Sequence, residues 1–424
     1  MVSHATQSDN RQCNAGLTAF AVNSKPSVGK PGVVERGVAK PRVCLAHHWA
    51  TGMRGGEKVL GHMAELFDVE DIYTLVHQAE RLDDTLRRRR FHTTLLDRHN
   101  VSRSLYRHAL PLHPSLIRRL RVRPDCDLLI SSDAALIKGV ATAASTRHLC
   151  YCHSPPRYLW EMPERYGSKW SPTRISLALF GPSLRAFDRR SADGVDHFVA
   201  NSQFVRDRIR RYYDRDADVV HPPVDIDRFA AVAERTSNYV VVSELTAYKR
   251  IDLAVGAATR MDLPLTIIGD GPEAKRLRAM AGPTVRFLGR AADEVVKHEL
   301  ESAEGFLFPG IEDFGMAPVE AMSAGCGVVA FGRGGSRETV VQETTGVFFD
   351  NATVDSLVEA IRRHQTLIKR GVIHPAACRR QAEKFSTATF RSRMSDIVER
   401  MGVASDAVDR PTTDYERSQD RTAA

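Results

Sequence analysis

The chain has 424 residues, of which 42% are hydrophobic and 26% charged, and carries a formal net charge of +8. That length suffices for two domains, each with its own core, and the composition is ordinary for a globular protein. No apolar run reaches the roughly 18 residues needed to span a membrane. Residues 1–40, rich in Ser, Gly, Lys and Pro, lack the apolar core and cleavage site of a secretory signal and are expected to be disordered, as is the tail over residues 404–424. The seven cysteines are scattered, odd in number and without paired metal spacing. Their expected state is that of buried thiols in a reducing cytosol.

The charge is uneven. Residues 81–123 hold twelve arginines against Asp83, Asp84 and Asp97, a local net charge of +9. Within this stretch, Leu105-Tyr-Arg-His-Ala-Leu-Pro-Leu-His-Pro-Ser-Leu-Ile-Arg-Arg-Leu-Arg-Val-Arg123 interleaves apolar and basic residues. Such a pattern suits an anionic membrane surface, and equally a solvated basic face. No nucleic-acid motif accompanies it, so nucleic acid is not an expected partner.

In chain order, the first apolar run is Val43-Cys-Leu-Ala46. A loop to Gly55-Gly56 follows, then an amphipathic helix marked by Val59, Leu60, Met63, Leu66 and Phe67. Strand, glycine loop, helix is the opening of a doubly wound sheet. Further strands are expected at Leu128-Leu-Ile130, at His148-Leu-Cys-Tyr151, where Cys150 and Cys152 share one face, and at His197-Phe-Val-Ala200. Asn201-Ser202 then caps a helix starting near Gln203. Val219-Val220 and His221-Pro-Pro-Val-Asp225 read as a short strand and a stiff crossing. The alternation then repeats. The strand Tyr239-Val-Val-Val-Ser243 leads to a helix from about Arg250 to Ala258, and the strand Leu265-Thr-Ile-Ile268 turns through Gly269-Asp-Gly-Pro272 into a helix. Val285-Arg-Phe-Leu288, Gly305-Phe-Leu-Phe308, Val328-Val-Ala-Phe331 and Gly346-Val-Phe-Phe349 are further strands. Phe390, Met394, Ile397 and Met401 fall at helical spacing and mark a last helix.

The densest chemistry lies in Phe308-Pro-Gly-Ile-Glu312-Asp-Phe-Gly-Met-Ala-Pro-Val-Glu320. Two carboxylates stand eight residues apart around a turn broken by Gly and Pro. Glu312 is expected on the loop at a strand's carboxyl end, where open α/β sheets bind ligands. Glu320 is expected in the first turn of the next helix. A glutamate there also complements the helix dipole, but a capping box would place Ala317, which has no side-chain acceptor, at the N-cap. Lys249-Arg250 follows a strand and opens a helix, a place suited to phosphate and equally to a solvated basic pair. Gly332-Arg-Gly-Gly335 offers either close backbone approach to a ligand or a tight turn.

Taken together, these strings resemble the retaining glycosyltransferases of family 4 (glycosyl transferases group 1). The resemblance covers roughly residues 41–401 and looks closest to bacterial mannosyltransferases that use GDP-mannose. It implies an α/β, GT-B architecture of two doubly wound Rossmann-like domains facing across a cleft. Residues 41–222 would form the acceptor domain, 223–385 the nucleotide-sugar donor domain and 386–403 a C-terminal helix. The implied activity is transfer of a hexose, mannose as the best match, from a nucleotide-diphosphate sugar to a glycan or lipid-linked acceptor.

By the same resemblance, Glu312 lies at the donor sugar, Glu320 holds the ribose, and Lys249 and Arg250 meet the diphosphate. Phe314, Gly315 and Met316 complete that segment, and Gly289 with Arg290 reads the base through the backbone. Gly55 and Gly56, in Thr51-Gly-Met-Arg-Gly-Gly-Glu-Lys58, form a backbone cradle on the first domain. His153, in Cys152-His-Ser-Pro-Pro-Arg-Tyr-Leu-Trp160, orients the sugar or binds the acceptor, and Arg157 meets an acceptor phosphate. There is one departure. The family usually has an arginine five residues before the lysine, and here that residue is Glu244. An anion there repels a diphosphate unless it points away or pairs with Arg250.

No metal and no cofactor is expected. Asp214-Arg-Asp216, Asp216-Ala-Asp218 and Asp225-Ile-Asp227 sit in the interdomain stretch, where turn chemistry accounts for them. The expected location is cytoplasmic, peripheral at the inner membrane face if the basic segment touches lipid. Two rivals stand beside the transferase. One is a glycosidase, which needs both carboxylates at the scissile bond. The other is a catalytically silent nucleotide-sugar-binding protein, which Glu244 favours.

Overall fold

A computed structural model of the chain describes residues 41–98, 109–161, 172–230 and 235–403. The two ends expected to be disordered, and residues 99–108 of the basic segment, lie outside these. The first domain is a seven-stranded parallel sheet. In chain order its strands are β1 (Val43–His47), β2 (Asp71–Thr74), β3 (Arg90–His92), β4 (Leu128–Asp133), β5 (Arg147–Cys152), β6 (His197–Ala200) and β7 (Asp218–Val219). Their spatial order is β3-β2-β1-β4-β5-β6-β7. The second domain is a six-stranded parallel sheet built from β8 (Tyr239–Val242), β9 (Leu265–Ile268), β10 (Val285–Gly289), β11 (Gly305–Phe308), β12 (Gly327–Phe331) and β13 (Gly346–Phe349), ordered β10-β9-β8-β11-β12-β13.

Both sheets are doubly wound. The order reverses between β1 and β4 in the first and between β8 and β11 in the second, and ligands bind beyond the carboxyl ends of strands at such reversals. The central strands are continuous apolar runs because helices cover both their faces. Period-two alternation still sorts the side chains. Cys150 and Cys152 face one layer with Phe198 and Val205, while Tyr151 faces the other with Leu45 and Val59. The six cysteines among the described residues are all buried and free.

The chain crosses between the domains at His221-Pro-Pro-Val224 and returns at Phe385-Ser386. The two passages touch, since the Val224 amide donates to the Phe385 carbonyl at 3.0 Å. Ser386 then caps the helix Thr387–Arg400 by accepting from the Thr389 amide. Phe390, Met394 and Ile397 of that helix pack into the first domain's core, against a cluster that includes Leu45, Leu60, Met63 and Tyr151. The last helix therefore belongs physically to the first domain. No helix among the described residues is long and apolar enough to cross a membrane.

Candidate active site

The second domain supplies a charged wall. Lys249 ends a short 3-10 turn, Ala247–Lys249, after β8, and Glu312 sits on the loop after β11. The two flank the strand-order reversal and form a close ion pair. Burial alone would pull the Lys249 ammonium toward neutrality. The Glu312 carboxylate, with Tyr248 beside it, outweighs that and holds the amine above the ordinary lysine range. Gly310 keeps the two loops close, because a Cβ there would meet the Lys249 backbone at 2.9 Å. Arg250 is left-handed, with φ +53°, and stands just before the helix Ile251–Met261. That conformation delays the helix expected to start at Arg250 by one residue. The Arg250 guanidinium pairs with Asp252 at 3.1 Å. Glu244 is exposed and forms no ion pair among the described residues, so Arg250 does not neutralise it.

Glu320 is corrected by one helical turn. The helix runs Met316–Ser323 and its N-cap is Gly315, so Glu320 is the fifth helical residue rather than a first-turn one. The cause is local. Gly315 takes φ +86°, which a glycine adopts without penalty, and this lets the helix begin at once. No side chain caps the first turn. Phe314 is 3% exposed and packs on His221 and Phe385, leaving its main chain as what it can offer a ligand.

The first domain supplies a neutral wall. His153 follows β5, and its Nε2 lies 2.8 Å from Ser132 Oγ at the end of β4. His47, at the end of β1, places Nδ1 3.0 Å from the same hydroxyl. Burial is the main influence on all three histidines here. It pushes His153, with His48 beside it, down to about 3, His48 down to about 4, and His47 well below the ordinary histidine value. Gly55 and Gly56 open the helix Gly55–Leu66. A Cβ on Gly56 would sit 3.5 Å from the His47 ring and 4.0 Å from His153 Nε2.

The walls touch. A Cβ on Gly55 would lie 3.3 Å from Met316 Sδ, and Lys58 reaches Glu320 at 3.7 Å. Asp313 crosses to the first domain and pairs with Arg157 at 2.8 Å and Arg208 at 2.6 Å, while its carbonyl accepts from Ser202 Oγ at 2.6 Å. Burial would raise the Asp313 pKa, but the two guanidiniums outweigh it and hold the carboxyl below the usual range. Arg157, expected at an acceptor phosphate, is thus committed to a cross-domain ion pair in the free protein. Glu338 makes a second fastener by accepting from the Gln203 and Phe204 amides at 2.8 and 3.1 Å and lying 3.1 Å from His221 Nε2.

The remaining expectations divide. Gly289, φ +68°, has open space around its Cβ position, and Arg290 beside it is exposed. Gly334 and Gly335 instead serve the fold. A Cβ on either would strike the 312–314 backbone at 2.5 Å or less, so their closeness is to the protein's own loop. Asp216 is held by Arg206 and Arg210, and Asp218 by His197 and Arg400. In the basic segment, Arg123 is tied to Asp71 and Asp125.

Sequence reasoning did not single out His47, Ser132, Lys58, Asp313, Arg208 or Glu338. His47 had one available signal, a histidine closing an otherwise apolar strand directly before the glycine loop.

Two sequence families match. The description "Glycosyl transferases group 1" matches residues 225–384, and "Glycosyltransferase Family 4" matches residues 53–228. Among curated relatives, a GDP-mannose-dependent alpha-(1-6)-phosphatidylinositol monomannoside mannosyltransferase of Mycobacterium tuberculosis is 31% identical over 212 residues. That alignment covers 42% of this chain and 55% of the relative. A D-inositol 3-phosphate glycosyltransferase of Mycobacteroides abscessus is 27% identical, over 55% of this chain and 58% of that one. The chain thus spans about half the length of the curated relatives it matches. Among solved structures, Anabaena HepE in complex with UDP and glucose superposes with TM-score 0.65 at 17% identity, covering 84% of this chain and 99% of that one. Sucrose-phosphate synthase from Thermosynechococcus elongatus gives 0.66 at 15% identity, covering 85% and 99%. With both halves matched by family and the two-sheet architecture shared with these structures, the chain belongs to the family 4, group 1 glycosyltransferases of GT-B fold.

Proposed function

We propose that the chain is a retaining hexosyltransferase that moves a sugar, mannose in our reading, from a nucleotide-diphosphate donor to a glycan or lipid-linked acceptor. The observation that carries this is the Lys249–Glu312 pair at the second domain's strand reversal, on the loop that Asp313 ties to Arg157 of the first domain. In the reaction the anomeric C–O bond breaks with its electron pair on the diphosphate, and the acceptor oxygen bonds to the sugar and loses its proton. Positive charge grows on the sugar while negative charge grows on the leaving group.

Lys249, Arg250 and the uncapped amides at Met316 meet the diphosphate, Glu312 faces the sugar, and Glu320 binds the ribose hydroxyls. The base lies along Gly289-Arg290. Donor entry exchanges Glu312 for phosphate at Lys249 and releases Glu320 from Lys58. Arg157 reaches the acceptor only when Asp313 lets go. Mannose as the sugar rests on the mannosyltransferase relatives.

The reaction is read as metal-independent, because Asp216 and Asp218 of the Asp-x-Asp strings are engaged by arginines. The protein is read as cytoplasmic and peripheral at the inner membrane face. Exposed Leu112, the exposed Ile175, Leu179 and Phe180 of the helix Pro172–Asp193, and the exposed Arg118 and Arg119 support an anionic lipid contact.

The test is calorimetric titration with GDP-mannose, UDP-glucose and UDP-N-acetylglucosamine in EDTA, followed by transfer assays with the anomeric configuration read by NMR. Binding of one donor with configuration kept in the product supports the reading. Inversion, or activity restored only by manganese, overturns the retaining or metal-independent part. A second reading, a nucleotide-sugar-binding protein without turnover, is favoured by Glu244, which forms no ion pair among the described residues. It predicts tight donor binding with neither hydrolysis nor transfer.

A further inference from the structure

Three side chains at the first domain's strand reversal form a chain of hydrogen bonds whose direction the geometry decides. His47 Nδ1 lies 3.1 Å from the Ser132 carbonyl oxygen and 3.0 Å from Ser132 Oγ. A carbonyl only accepts, and His48 Nδ1 lies farther from the same oxygen at 3.4 Å, so His47 carries its proton on Nδ1. The Ser132 hydroxyl then receives from His47, and its own proton has one remaining partner among the described residues, His153 Nε2 at 2.8 Å. The reverse assignment, with His153 donating from Nε2, would leave the serine proton between two donors. Neutral imidazole carries one proton, so an accepting Nε2 places that proton on His153 Nδ1. The ring is held from the backbone as well. The His153 amide donates to the Asp133 carbonyl at 2.8 Å, and Asn201 Nδ2 donates to the His153 carbonyl at 3.0 Å.

We propose that Ser132 and His47 are positioning residues that lock His153 in the Nδ1–H tautomer, so that it presents a hydrogen-bond donor to an oxygen of the bound sugar nucleotide. The same assignment leaves His47 Nε2 unprotonated, with a lone pair free to accept. That atom is buried and has no hydrogen-bond partner among the described residues, and it lies beside Gly56, where there is no Cβ to fill the space. It suits a substrate hydroxyl as donor. The low proton affinity of His153 keeps the ring neutral across the working range, so the tautomer rather than the charge sets what it offers. The part of this that concerns substrate rests on the transferase reading above; the tautomer itself does not.

The experiment is nitrogen-15 NMR of histidine side chains in the full-length protein without ligand, with His153 identified by the loss of its signals in His153→Gln. The expected wild-type result is a protonated Nδ1 and a bare Nε2. Ser132→Ala is expected to shift the ring toward the Nε2–H form, and Ser132→Thr to preserve the wild-type pattern. His47→Asn, which keeps a donor near Nδ1, is expected to behave like wild type, and His47→Phe like Ser132→Ala. This second pair decides the matter if Ser132→Ala does not fold. Transfer should fall about tenfold in the tautomer-shifted variants, with affinity for free nucleotide unchanged. A wild-type His153 protonated on Nε2, or a tautomer indifferent to both Ser132→Ala and His47→Phe, overturns the proposal. The expected tautomer in a protein that transfers from no donor keeps the relay and removes the transferase reading instead.

Discussion

The two walls of the cleft sit at equivalent places, each at the reversal of a parallel sheet, yet their electrostatics are opposite. The second domain presents Lys249, Arg250, Glu312 and Glu320, charges held in ion pairs: Lys249 with Glu312, Arg250 with Asp252, and Glu320 with Lys58 of the first domain. The first presents His47, His48 and His153, imidazoles that burial keeps uncharged. One topology can therefore hold paired charges on one side and neutral imidazoles on the other. The difference lies in the counter-charge each loop carries, since Glu312 keeps a buried Lys249 charged while burial dominates at the imidazoles.

Acid should break this symmetry most strongly. In the unfolded chain the histidines titrate near 6.5. In the folded protein His48 and His148 stay neutral down to about 4 and His153 to about 3. The unfolded state binds more protons in that window, so the histidine contribution to stability is full above 6.5 and is lost as pH falls toward 4 and 3. Melting temperature should drop steeply between pH 7 and pH 4.5, with a shallower slope in His153→Gln. Equal melting temperatures at the two pH values would show that the wall is solvated and charged.

Lys249→Ala tests the charged wall directly. Transfer should fall on the order of 10²–10³-fold, as for loss of a group facing developing charge, while melting temperature changes little. A loss below threefold in steady-state assays would remove Lys249 from the chemistry. Asp313→Asn tests the join between the walls, because it leaves Arg157 and Arg208 without their shared carboxylate. Unfolding in urea should show a loss of about 2–3 kcal/mol, and an unchanged midpoint would mean the clasp is not formed in solution. Glu320→Gln should weaken nucleotide binding about tenfold by removing a charge-assisted hydrogen-bond acceptor, which calorimetry reads; unchanged affinity would count against the ribose role. Smallest is Glu244→Arg, expected to tighten donor binding by about threefold through one exposed charge.

The parallel strands were legible because strands covered on both faces are apolar runs with few competitors. Leu265–Ile268 and Gly346–Phe349 lie where the runs place them. Asp71–Thr74 and Arg90–His92 escaped notice because they carry polar residues that find partners only after folding, such as Asp71 with His92 and Arg123. Glu312, Lys249 and His153 stood out through their strings. Ser132 did not, since its meaning comes from His47, 85 positions away, and Arg208 meets Asp313 across 105. Gly334 and Gly335 mark the opposite lesson. A glycine-rich loop signals close approach, and only the packing tells whether what approaches is a ligand or the neighbouring loop.

The placement of Phe390, Met394 and Ile397 has a consequence during synthesis. The ribosome delivers the first domain's sheet early, but the apolar face that these residues cover stays bare until the helix Thr387–Arg400 has left the exit tunnel. The nascent first domain must wait, partly uncovered, through the whole translation of the second, and the polypeptide is sealed by nearly the last described residues to emerge.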